Sequence, residues 1–173
     1  NRRMRRPPPQ DHAIAGRLAA DAGRLLVDLR ARLTAQGASG RELGDAGDRA
    51  AHEMLVARLA ELRPDDAVLS EEAEPGAVAP VDRLAARRVW IVDPLDGTRE
   101  YGEVPRVDWA VHVALAIDGD PVVGAVALPG RDLTLTTDPP PPSPPAWSGP
   151  PRILVSRSRP PAAATRVAER LGG

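Results

Sequence analysis

Between residues 11 and 35 the apolar positions Ile14, Leu18, Ala22, Leu25, Leu29 and Leu33 recur every three or four residues. That period draws one stripe along a helix, and Asp11 stands where a cap belongs. A second stripe, Ala51, Leu55, Leu59 and Leu62, predicts a helix from Asp48 to just before Pro64. The glycine-rich stretch 36–47 reads as the loop between them. Beyond Pro64 the pattern changes. "AVLSEE" reads as a short buried strand ending in acid, residues 73–86 as a loop, and "RRVWIVD" as a second buried strand. In "VDWAVHVALAI", Trp109, Val111, Val113, Leu115 and Ile117 alternate with small residues and His112, a period of two that predicts a half-buried strand. "DGD" has hairpin-turn chemistry, and "PVVGAVAL" and "LTLTT" extend an antiparallel meander. The proline-rich run 138–151 can hold neither helix nor strand and reads as a linker or surface insertion. "RILVSRSR" and "AAATRVAERLGG" predict one more strand and one more helix. The expected organisation is a disordered leader over 1–10, a main domain over 11–137, the proline segment over 138–151, and the start of a further domain over 152–173. Helices followed by a run of strands make this an α+β chain, with helices packed on a mainly antiparallel sheet.

Composition narrows the chemistry. A chain of 173 residues is long enough for a core. A net charge of -1 gives no field that would draw a nucleic acid polymer or a membrane surface. No apolar run reaches the ~20 residues of a membrane helix. The arginine-rich start lacks the apolar stretch of an export signal, so a cytoplasmic location is expected. With no cysteine, disulfides and thiolate metal sites are excluded, and oxygen ligands are what remains for a metal.

The acids fall at the ends of predicted elements: Asp48 at the start of the second helix, Glu71 and Glu72 after the first strand, Asp93 and Asp96 after the second. Singly, each has an ordinary explanation: a helix cap, a solvated strand end, a turn. If the two strands lie side by side, however, three or four carboxylates converge at one sheet edge, where they either raise one another's pKa or hold a cation between them. Hard divalent cations, Mg2+ in particular, take such oxygens. Pro94 stiffens the segment so that the Leu95 carbonyl can join them, and Gly97 allows backbone to approach a ligand. Thr98 can bond a water or cap "TREY"; if that segment is helical, its free N–H groups offer a phosphate a seat. An EF-hand loop is excluded, because its third and fifth positions would be Leu95 and Gly97.

"WIVDPLDGTREY", preceded by "LSEE" and by "GDRAAHEML", resembles the inositol monophosphatase family of magnesium-dependent, lithium-sensitive phosphatases. The resemblance covers roughly residues 11–170. Arg99, Glu100 and Tyr101 after the Gly-Thr, and the later "ILVSRSR", are similar to the CysQ branch, which removes the 3′-phosphate of adenosine 3′,5′-bisphosphate in sulfate assimilation. The resemblance implies the N-terminal half of a layered α/β fold. It implies Mg2+ on Glu71, Asp93, Asp96 and the Leu95 carbonyl, with Asp48 and Thr98 orienting and deprotonating the attacking water. Gly97 and Thr98 would hold the phosphate and Arg99 the substrate. Asp45 and Gly47 stand where the family has Thr and Ala, and no Trp-Asp-x-x-Ala signature follows residue 147. The expected substrate is thus a small phosphorylated molecule, with inositol phosphates and fructose 1,6-bisphosphate as alternatives. A shortened, non-catalytic metal- or phosphate-binding chain is the competing class. An uncovered sheet face would favour self-association, which leaves a homodimer open.

Overall fold

The computed structural model describes residues 8–71, 86–150, 152–156 and 161–171. Two long helices, α1 (Pro9–Ala35) and α2 (Gly40–Leu62), precede β1 (Ala67–Ser70) and β2 (Arg88–Asp96). A short helix α3 (Thr98–Gly102) follows, then β3 (Ala110–Ile117), β4 (Asp120–Leu128) and β5 (Leu133–Thr136). The strands form one sheet in the order β1-β2-β3-β4-β5. β1 and β2 run parallel, and the other pairs run antiparallel. This is the expected α+β arrangement.

The period of two decides which face is covered. Trp90, Val92, Val111, Val113, Leu115, Val123, Ala125 and Ala127 all point to one side and are buried beneath α1, which lies across β3–β5, and α2, which lies on β1 and β2. The stripe of α1 is set one residue from the expected track at its middle, with Leu26 rather than Leu25 fully buried. The hairpin at Asp118-Gly119 forms with both residues at positive φ, 55° and 84°, the twist that a two-residue turn requires.

Four expectations need correction. α1 begins inside the expected leader, at Pro9, a residue suited to the first helical position. Asp11 is not a cap: it is completely buried, and Oδ1 accepts from Arg63 Nη2 at 2.9 Å while Oδ2 accepts from Arg88 Nη2 at 3.1 Å. α2 begins at Gly40, not Asp48, so most of the expected glycine loop is helical. The segment 152–156 is irregular rather than a strand, and among the described residues no strand pairs with it to supply hydrogen bonds. Glu72 and most of the expected loop 73–86 lie outside the described residues, as do residues 1–7.

The chain divides into two units, Asn1–Pro141 and Pro142–Gly173. Within the second, Arg152 stacks 4.0 Å over the Trp147 ring, whose Nε1 donates to the Pro150 carbonyl, and α4 (Ala162–Arg170) forms as expected.

Candidate active site

Parallel pairing brings the first two acids together. Ser70 stands opposite Val92, and the backbone N–H of Glu71 donates to the Val92 carbonyl at 3.3 Å. Glu71 therefore leaves β1 where Asp93 follows on β2. Asp96 reaches the same place by a different device. Residues three apart on a plain strand face opposite sides. Here the register shifts between Asp93 and Asp96, so that Asp93 pairs with His112 and Asp96 with Ala110. His112 and Ala110 are two apart on β3 and share a face, so the extra residue turns both aspartates to one side. Pro94 and Leu95 lie within the shift, and the Leu95 side chain goes into the core.

Gly97 then takes φ +86°, a left-handed conformation, and a Cβ there would lie 3.2 Å from the Asp108 carbonyl oxygen and 3.3 Å from Trp109 Cα. Both conditions favour glycine. The turn launches α3 and places the Thr98 hydroxyl 3.0 Å from the Leu95 carbonyl and 3.3 Å from Asp48 Oδ2. Thr98 does not cap α3; Gly97 holds that position without a side-chain bond.

Asp48 arrives on the buried face of α2, well inside the helix. The glycines that suggested a loop are what allow this approach. A Cβ on Gly44 would sit 2.9 Å from the Thr98 carbonyl oxygen, and one on Gly47 would sit 2.6 Å from Tyr101 Cε1. Tyr101 itself is fully buried: its hydroxyl donates to the Leu26 carbonyl at 2.8 Å. Arg30 clamps the same segment, donating from Nε to the Tyr101 carbonyl and from Nη1 to the Arg106 carbonyl, both at 2.7 Å. The aromatic of Arg-Glu-Tyr is thus an anchor for the turn. Arg99 is exposed and pairs with Glu103 Oε1 at 2.9 Å.

Asp93 holds its proton more tightly than an ordinary aspartate. Burial is the main cause, followed by the charges of Glu71 and Asp96; His112 and the Leu95 N–H act in the opposite sense. Among the described residues, no three acid or imidazole side chains stand close enough to hold a metal ion as they are. Glu71, Asp93 and Asp96 form an acidic edge rather than a closed cage, as expected of like charges with no cation between them. An all-oxygen donor set that senses its own charge suits a hard divalent cation. Sequence reasoning missed His112, whose Nε2 lies 3.1 Å from Asp96 Oδ2. Its signal was a lone imidazole on the small-residue face of β3.

A buried carboxylate on α2, a bulged Asp-Pro-Leu-Asp-Gly-Thr turn and a strand-end glutamate meet at one edge of a helix-backed sheet. Residues 10–138 match the model of the inositol monophosphatase family, and the chain belongs to that family, one of metal-dependent phosphatases. It is 43% identical over 173 residues to the 3′-phosphoadenosine 5′-phosphate phosphatase of Mycobacterium leprae, covering 93% of this chain and 62% of that protein. Over 84 residues it is 42% identical to the 3′(2′),5′-bisphosphate nucleotidase CysQ of Escherichia coli, covering 49% of this chain and 32% of that protein. The chain thus spans less than two thirds of the length of these relatives. Among solved structures it superposes on the extragenic suppressor protein SuhB of Bartonella henselae with a TM-score of 0.59 at 27% identity, over 73% of this chain and 47% of that one. Inositol monophosphatase II of Staphylococcus aureus shares the fold with a TM-score of 0.63 at 24% identity, over 75% and 45%. Among the described residues no helix is long and apolar enough to cross a membrane.

Proposed function

We propose that this chain carries the cation- and phosphate-binding part of a Mg2+-dependent phosphatase that cleaves the 3′-phosphate of adenosine 3′,5′-bisphosphate, giving AMP and phosphate. The observation that carries the reading is the bulge, which brings Asp93 and Asp96 to one face beside Glu71, where burial first and then the charges of Glu71 and Asp96 raise the pKa of Asp93. In this reading Glu71, Asp93, Asp96 and the Leu95 carbonyl hold the cation. A divalent cation there supplies Lewis acidity toward the phosphoryl group and makes water more acidic. Asp48 and Thr98 share a hydrogen bond, which suits the carboxylate to take a proton from the attacking water while the hydroxyl orients it. The backbone of Gly97 and Thr98 receives the phosphate. Arg99, already exposed and paired with a carboxylate, exchanges Glu103 for the second phosphate of the substrate.

The names of the relatives favour the nucleotide over inositol phosphates or fructose 1,6-bisphosphate. Phosphate release from these three substrates, each with Mg2+, tests the choice. Preference for adenosine 3′,5′-bisphosphate is expected, and preference for an inositol phosphate would overturn the substrate assignment. Metal binding without any turnover would support the second reading, a non-catalytic metal-binding chain.

A further inference from the structure

His112 stands apart from its strand. On its face of β3 its neighbours are Ala110, Ala114 and Ala116, small residues beside which an imidazole has room to lean. It pairs across the sheet with Asp93, yet its hydrogen bond goes to Asp96, the residue that the bulge turns onto the same face. An ionised carboxylate can only accept, so Nε2 must carry the hydrogen. One oxygen of Asp96 is thereby engaged at 3.1 Å, and Oδ1 is left for another partner. Both side chains are substantially exposed, at 41% for His112 and 61% for Asp96, so packing does little to fix the carboxylate. The cross-strand hydrogen bond is the restraint that the structure provides.

We propose that His112 is a positioning residue: its Nε2–H fixes the Asp96 carboxylate so that Oδ1 is presented to a divalent cation. The inference rests on the metal-site reading above. Partners that orient ligating carboxylates in this way typically cost ~10–100-fold in metal affinity when removed. Among the described residues the ring takes no part in the buried core.

Mn2+ binding to the full 173-residue chain tests the proposal, read by calorimetry or by the resonance signal of free Mn2+. His112→Ala is expected to weaken binding ~10–100-fold. His112→Gln, whose amide N–H can take the place of Nε2–H, is expected to restore most of the loss. The double variant Asp96→Ala/His112→Ala should bind no more weakly than Asp96→Ala alone, because His112 acts through Asp96. The unfolding temperature without metal should be the same in the wild type and His112→Ala, which a merely structural role would not allow. Unchanged affinity in His112→Ala, or losses that multiply in the double variant, would overturn the proposal. If His112→Ala does not fold, His112→Gln against His112→Leu gives the same comparison. If wild type and Asp93→Asn bind Mn2+ equally, the metal-site reading itself fails and this inference with it. Loss in Asp93→Asn with none in His112→Ala removes only the inference.

Discussion

The two ends of the parallel β1–β2 pair treat acids in opposite ways. At the end where both strands begin, Asp11 is completely buried between Arg63 and Arg88. There Asp66 accepts from Arg88 Nε and from the Trp90 indole, both at 2.8 Å. Every carboxylate named there has a cationic partner, and the network ties α1, α2 and β2 together. At the end where both strands stop, Glu71, Asp93 and Asp96 have no arginine partner among the described residues; Asp96 has only a histidine. The same side-chain chemistry is a staple at one end and a standing repulsion at the other. Acids that are paired explain the fold. Acids that are left to repel one another need a different explanation, and a cation supplies one.

The contrast can be broken first at the stapled end. Asp11→Ala leaves Arg63 without its carboxylate and Arg88 with Asp66 alone, and should cost about 3 kcal/mol or more, read from the denaturant midpoint. A loss below that of an ordinary surface change would mean that the network is ornamental. Next is the wall that carries Asp48 to Thr98. In Gly47→Ala the new methyl meets Tyr101, and a loss of about 1–3 kcal/mol is expected from overpacking. At the repelling end the sign reverses. Because the folded state raises the pKa of Asp93, it binds more protons than the unfolded chain in the interval between the two values. Stability without metal should therefore fall as pH rises through that interval. Asp93→Asn should remove that slope and leave the chain as stable or slightly more stable, measured by thermal unfolding across acidic pH. The smallest effect belongs to Arg99→Ala, which removes an exposed ion pair and should leave the unfolding temperature unchanged.

The meander of β3, β4 and β5 was legible because alternation and the Asp118-Gly119 turn speak for themselves locally. The start of α2 was not. Glycine disfavours helix by about 1 kcal/mol relative to alanine, so Gly40, Gly44 and Gly47 read as a loop. Gly40 takes a positive φ of 56°, and the purpose of Gly44 and Gly47 lies in contacts with Thr98 and Tyr101, some fifty residues away. Asp11 misled for a related reason: its place near a helix start suits a cap, while its partners come from the residue that closes α2 and from β2. In the candidate site the residues themselves were legible, since strand ends can be read from pattern. How Asp93 and Asp96 come to share a face was not, because that depends on a register shift against β3. His112 was invisible as a contributor for the same reason.

The most direct test is the stabilisation that Mn2+ gives to three chains: wild type, Asp11→Asn and Asp93→Asn. A ligand at ~100 times its Kd adds about 2.7 kcal/mol to a folded state that binds it. Wild type is expected to gain this increment, and Asp11→Asn, though weaker throughout, to gain the same. Asp93→Asn should gain almost none. An equal gain in Asp93→Asn would show that the cation binds elsewhere and would contradict the assignment of the acidic edge.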